Sequence, residues 1–542
     1  MPLGFQYEVQ VRDVRRSRFI AAAALSLAVV FHFPVAANAQ SDQSTLVASA
    51  SEPKPEPQPA SQTDAKSKPQ TAAPAKAPAP QPAKHKIGRF EISGSWRVRM
   101  ESWDWFEPTT GNNSYTFPHS LLRIGIGQTS ENFDWLAEVG QIMILALPDN
   151  ATVPAPQGQL GAGATYFVSN GNTQNNVAAF LKQAYIRFKH VGDGQLRLGR
   201  FEYFDGSELV PKDPSLATLI QTRIAQRLVG NFAFSAVQRS YDGGQFTYDV
   251  SGTRFTFAGG RTTQGVYQAD ANLEIPVDFF YGSATVPVKS GNSEGQLRFF
   301  GLGYLDHRTA VLKTDNRPQK IRAADDQEIQ IGTYGANYLH VFSTHSAGKF
   351  DFLLWGALQS GSWGQLTHRA SAFVTEAGWQ PPVKTLKPWL RGGYTYGSGD
   401  GNNSDTLHQT FFQVLPTPRI YARYPFYNMM NNEDAYGMLT LRPHSKLSIR
   451  TDFHALRLTN ANDLWYLGGG AYQNGSFGYT GRPSNGHRSL ASLWDASGDI
   501  QVSRDFSVTA YYAHAWGKSV VAAIYPKDRN SNYFYLETNL RF

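Results

Sequence analysis

The residues of this chain best equipped to do chemistry are arginines placed at two-residue steps within short alternating runs. Arg97 and Arg99 alternate with Trp96, Val98 and Met100; Arg123 lies between Leu122 and Ile124; Arg187 lies between Ile186 and Phe188; and Arg450 is followed at the same step by Asp452 and His454. Arg197 and Arg391 sit in similar surroundings, while Arg223, Arg227 and Arg239 come from a stretch without alternation. A guanidinium fork matches a carboxylate through two parallel hydrogen bonds, and a ring of such groups around a bore favours anions. The acids Glu138, Asp452, Asp495 and Asp499 stand in equivalent positions. A polar interior held together by ion pairs is therefore an equally open reading.

Other chemistries find little support. The sequence has no nucleotide-binding loop, zinc-ligand spacing or GxSxG elbow, so no catalytic residue, metal ligand or cofactor is assigned. Thr344-His345-Ser346 and Gly486-His487-Arg488-Ser489 bring histidine near serine but have no evident third partner. The run from Asp400 to Asp405 lacks the carboxylate spacing of a calcium loop and reads as a solvated loop.

The elements that position the arginines follow from their period. Phe90, Ile92, Trp96, Val98 and Met100 share one face, and Glu91, Ser93, Ser95, Arg97 and Arg99 the other, which is the two-residue repeat of a strand. A charge facing lipid near the bilayer midplane costs about 2–4 kcal/mol, so the arginines face inward and the apolar row outward. Such runs recur at 89–102, 118–129, 133–146, 178–190, 195–205, 243–250, 253–262, 278–288, 293–308, 327–345, 348–361, 364–379, 385–398, 433–443, 446–459, 488–503, 505–518 and 531–542. These are eighteen strands, joined alternately by short turns and mostly long loops, with Ser362-Trp363 the exception among the long ones. That asymmetry marks an all-β transmembrane antiparallel barrel with short periplasmic turns and long extracellular loops. The apolar stretch Ile220 to Ser235 would make the count odd, so it is placed in a loop, 206–242, folded into the lumen.

Composition agrees. Aromatic residues make up 13% of the chain while the mean hydropathy is only −0.38, a balance suited to a barrel rather than to apolar membrane helices. The absence of cysteine excludes a disulfide scaffold. Arg12, Arg15, Arg16 and Arg18 precede an apolar segment from Phe19 to Val35 and then Ala37-Asn38-Ala39, which reads as a secretory signal peptide over residues 1–39, cleaved after Ala39. Residues 40–88 are a Pro/Ala/Lys-rich periplasmic linker with no means of burying a core, and residues 89–542 form the barrel. Signal and linker each carry +2 of the formal +7, leaving +3 on the barrel, so the basic balance is no argument for a nucleic-acid partner.

Three longer segments carry a resemblance. PWLRGGYTYGSGD (388–400), TFFQVLPTPRIY (410–421) and DAYGMLTLRPHSKLSI (434–449) resemble, in order, the signature stretch of the alginate-export family of outer-membrane barrels. LRLGRFEYFDG (196–206), RLVGNF (227–232) and RSYDG (239–243) are similar to further elements of that family. The resemblance implies an eighteen-stranded barrel with an arginine-lined conduit, with Arg200, Arg227 and Arg239 at the matching arginine positions. It also implies a channel in the cell outer membrane, embedded in lipid and lipopolysaccharide, for an anionic saccharide or related solute. The terminal Phe542, in line with Phe534, Leu536, Thr538 and Leu540, resembles the signal read by the barrel-assembly machinery. A general small-solute porin whose arginines are balanced by lumenal acids is the alternative; a barrel hydrolase and a plugged structural barrel are further ones.

Overall fold

Alternating faces produce the strands because the two sides of this wall meet different media. The computed structural model describes residues 85–344, 346–424 and 428–542. The expected signal peptide, most of the linker and His345 lie outside the described residues. The wall strands are β1 (Phe90–Asp104), β2 (Ser114–Thr129), β3 (Phe133–Ile144), β4 (Asn176–Val191), β5 (Gly194–Phe201), β6 (Tyr241–Val250), β7 (Thr253–Thr263), β8 (Glu274–Ser290) and β9 (Ser293–Asp306). They continue as β10 (Ile329–Thr344), β11 (Gly348–Trp363), β12 (Leu366–Gln380), β13 (Trp389–Gly397), β14 (Asn432–His444), β15 (Leu447–Leu458), β16 (Ser489–Gln501), β17 (Phe506–Gly517) and β18 (Asn530–Arg541). Each of the eighteen runs read from the sequence corresponds to one of them.

Every strand pairs antiparallel with its neighbours, and β18 pairs back onto β1, with Trp96 opposite Leu540, so the sheet closes. At that seam Gly94 and Phe542 exchange backbone hydrogen bonds of 2.8 and 3.0 Å. Because Gly94 has no side chain, the Phe542 ring covers its bare backbone. The segment His85–Ile87 folds back onto Phe90–Ile92. Short turns follow the even-numbered strands; in one, Ser251 and Gly252 take φ of 49° and 79°, the pair of positive angles that a two-residue hairpin requires.

The interior departs from the expected purely polar lumen. Long loops turn inward and pack on the inner faces of the strand ends away from the short turns. One apolar cluster gathers Trp103, Trp105, Phe117, Tyr424 and Tyr533, and another Trp355, Trp363, Phe411, Phe412 and Phe477. Helix α1 (Ala162–Ser169) belongs to the first, with the Tyr166 hydroxyl oxygen accepting from the Ala236 amide at 2.7 Å. Where loops exclude water, the inner face obeys the rule of a soluble core. Lower down, where charges line the wall, it remains polar.

Candidate functional site

The segment between β5 and β6 is the centre of the lumen. Phe201 and Tyr241 are cross-strand partners, so the 39 residues 202–240 leave and re-enter the wall at one place. The inward fold expected for loop 206–242 is observed. Helix α2 (Pro214–Leu219) begins on Asp213, whose carboxylate accepts from the Ser215 and Leu216 amides at 2.8 and 2.9 Å, with proline at the first helical position. Asp213 also pairs with Lys349, beside the β10–β11 turn, at 2.7 Å. One wide turn, Ile220–Ile224, extends the helix.

Ion pairs and charge-assisted hydrogen bonds then tie the segment across the bore. Arg298 on β9 lies 3.3 Å from Glu208 and 3.8 Å from Asp205. Arg223 reaches Glu376 on β12 at 2.7 Å. Arg97 on β1 donates to the carbonyls of Ala233 and Ser235, each at 2.5 Å. Since β1 and β12 stand nearly opposite in a ring of eighteen strands, residues 223–235 span the lumen. The stretch 409–424 crosses with it, Gly230 donating to the Leu415 carbonyl at 2.8 Å. Asp205 accepts from the Leu228 and Val229 amides, and burial pushes its carboxyl up to about 6. For Glu202, burial alone would raise the value, but Arg123 and Lys182 hold it down to about 2.

The arginines named from the sequence divide into two groups. Arg99 pairs with Glu537 at 2.5 Å, Arg123 with Glu138 at 2.7 Å and Glu202 at 3.0 Å, and Arg391 with Glu376 at 3.0 Å and with Asp351. Arg187 pairs with Asp134, and Arg450 with Asp452. Arg197 instead uses Gln245 and the Glu202 carbonyl, lying over the Phe201 ring. Asp495 accepts from the Tyr511 hydroxyl at 3.0 Å, and Asp499 from Thr509 at 2.6 Å.

Arg227 and Arg239 differ from these. Arg227 donates to the Arg223 carbonyl at 2.5 Å and lies 4.1 Å from the Tyr421 ring centre. Arg239 donates to the carbonyls of Ala471, Pro416 and Gly469 at 3.1, 3.2 and 2.7 Å. Both are at most 1% exposed, and among the described residues neither has a carboxylate within ion-pair distance.

Arg200 does not line the lumen. It lies opposite Ala184 and Asp242, in phase with the exposed Leu198, and pairs with Asp242 at 2.5 Å on the outer wall. Counting from the inward Arg197, position 200 is an odd number of residues away, so the strand's own period turns it outward. Asp400, read as part of a solvated loop, is buried, its amide donating to Asp463 at 2.9 Å. Sequence reasoning also missed Arg298, Glu376, Asp351 and Glu537. The alternation in Gln296-Leu297-Arg298-Phe299-Phe300 would have placed Arg298 inward. Arg419, 4.1 Å from the Phe234 ring centre, sits on an inner loop without any period to reveal it.

Comparison with known proteins agrees with this architecture. The family described as "Alginate export" matches residues 164–517. Among solved structures, OccAB2 of Acinetobacter baumannii aligns with a TM-score of 0.51 at 9% identity, covering 84% of this chain and 98% of that one. OccK9 (OpdG) of Pseudomonas aeruginosa aligns at 0.49 and 9%, with the same coverage. No curated protein matches by sequence. The family match over most of the barrel, on a closed wall of eighteen strands, means that the chain belongs to the alginate-export family and is an outer-membrane channel.

Proposed function

We propose that this channel passes anionic saccharides or related anionic solutes. The observation that carries the reading is the pair Arg227 and Arg239, two guanidiniums deep in the bore that neutral groups alone hold, each with an Nε–H that has no acceptor. A buried cation without a counter-charge is costly, and a carboxylate in transit offsets that cost while losing its water. The family's namesake solute supports the same class. Reconstituted in planar bilayers under a salt gradient, the wild-type protein is expected to favour anions. In Arg227→Ala/Arg239→Ala the anion-to-cation permeability ratio should fall roughly tenfold, equivalent to about 1.4 kcal/mol at the constriction. An unchanged reversal potential would remove the basis of the proposal.

The pairing of Arg99, Arg123, Arg187, Arg223, Arg391 and Arg450 with acids favours a second reading, a general small-solute porin with a balanced interior. Current block separates the two: oligouronates should block at concentrations where neutral oligosaccharides of equal length do not. We assign no enzymatic role; His487 and Ser489 are both exposed, and hydrolysis of phospholipid or ester by the pure protein would contradict this. Insertion among lipid and lipopolysaccharide, with Phe542 read by the assembly machinery, completes the proposal.

A further inference from the structure

We infer that the lumenal face of β14–β16 holds one divalent transition-metal cation between Asp452, His454 and Asp495. This does not rest on the identity of the solute.

The register sets Asp452 directly opposite Asp495, both buried. Like charges directly opposite in a sheet destabilise it even when exposed, and burial removes the water that would screen them. His454 follows Asp452 on the same face. Its Nδ1 lies 2.7 Å from Oδ2 of Asp434, so Nδ1–H donates to that carboxylate and, in the neutral ring, Nε2 keeps a free lone pair. The Nε2 atom is buried, lacks a hydrogen-bond partner and lies 4.0 Å from Oδ2 of Asp452. One donor atom from each of Asp452, His454 and Asp495 falls within 4.8 Å of the others. Donors about 3.4 Å apart surround a tetrahedral ion with bonds of 2.0–2.1 Å, so small rotamer changes bring the three into range.

Charge supports the same conclusion. Asp434, Asp452 and Asp495 face one adjacent cation, Arg450, which is paired with Asp452. With the three carboxylates ionised and His454 neutral, the group would carry two negative charges in excess. Nearby cations are engaged elsewhere: Arg423 lies 4.0 Å from Asp499, and Arg223 and Arg391 share Glu376. A divalent ion closes this imbalance. Two carboxylates and an imidazole suit zinc, cobalt or manganese; calcium and magnesium prefer all-oxygen shells. The carboxylate behind the imidazole is the outer-shell partner that metal-bound histidines usually have. The rival occupant of the same geometry is a proton, making His454 an imidazolium among three carboxylates.

The test uses the full chain in detergent, stripped with EDTA and titrated with Co²⁺ and then Zn²⁺, following the visible cobalt bands and metal content after dialysis. One equivalent should bind. His454→Gln and Asp495→Asn should abolish the bands, and Asp434→Asn should weaken binding about 10–100-fold. His487→Gln, on an exposed loop, should bind as wild type does. Unboiled gel mobility establishes that each variant retains the barrel. If wild type takes up no ion, or His454→Gln takes up as much, the site is wrong and the protonated imidazole stands; wild-type affinity in Asp434→Asn would remove the role of Asp434.

Discussion

Replacing Glu376 with alanine is expected to release the inner segment from the wall and raise the channel's conductance. Glu376 accepts from Arg223 Nη2 at 2.7 Å and from Arg391 Nε at 3.0 Å; Arg391 also holds Asp351, which accepts from the Trp389 ring at 2.8 Å. Removing one member of a buried ion-pair network leaves the other charges uncompensated, at a cost of about 3–5 kcal/mol, less where water can enter. The segment can respond by leaving the wall, whereas Arg391 is fixed on a strand. Hydrogen exchange over 214–239 should therefore accelerate while exchange in β12 and β13 changes little. Glu376→Gln keeps an acceptor and should show a smaller effect. If exchange across 214–239 in the alanine variant matches wild type, the ion pair does not hold the segment.

The wall was legible in the sequence because every residue on it meets one of two media. Lipid on one side and charge on the other impose a two-residue period, and the alternation of turns and loops fixed both the count and the orientation. The error at Arg200 concerned phase rather than fold: the family likeness marked an arginine there, but Arg197 inward already required position 200 to face out. Partners across the bore were not legible. Arg223 and Glu376 are 153 residues apart, and the segment bearing Arg223 packs partly on the wall and partly on other inner loops, so no two-residue period marks it. The apolar clusters around Trp103 and Trp363 were hidden for the same reason, since loops that fold inward turn a lumenal face into a core. The Asp452, His454 and Asp495 trio escaped because its members come from two strands, joined only by the register.

Joining Phe201 to Tyr241 through a two-residue turn, in place of residues 202–240, should leave a closed barrel with a conductance raised roughly severalfold, because barrels of this strand number enclose an aqueous channel unless something fills it. The graft is favourable because Phe201 and Tyr241 are already cross-strand partners, so β5 and β6 keep their register. Arg298, Glu376 and Arg97 would lose only their partners on the excised segment; Glu376 keeps Arg391, and water entering the opened lumen solvates the rest. Net charge does not predict the effect on selectivity: Lys212, Arg223, Arg227 and Arg239 are matched by Glu202, Asp205, Glu208 and Asp213. Position predicts it instead, since the acids pair with wall cations or cap a helix while Arg227 and Arg239 stand unpaired. Excision should thus raise conductance and lower anion preference together, whereas Arg227→Ala/Arg239→Ala should lower the preference with a much smaller change in conductance. An excised barrel that folds yet conducts like wild type would mean that 409–424 and the other inner loops, rather than 202–240, set the bore.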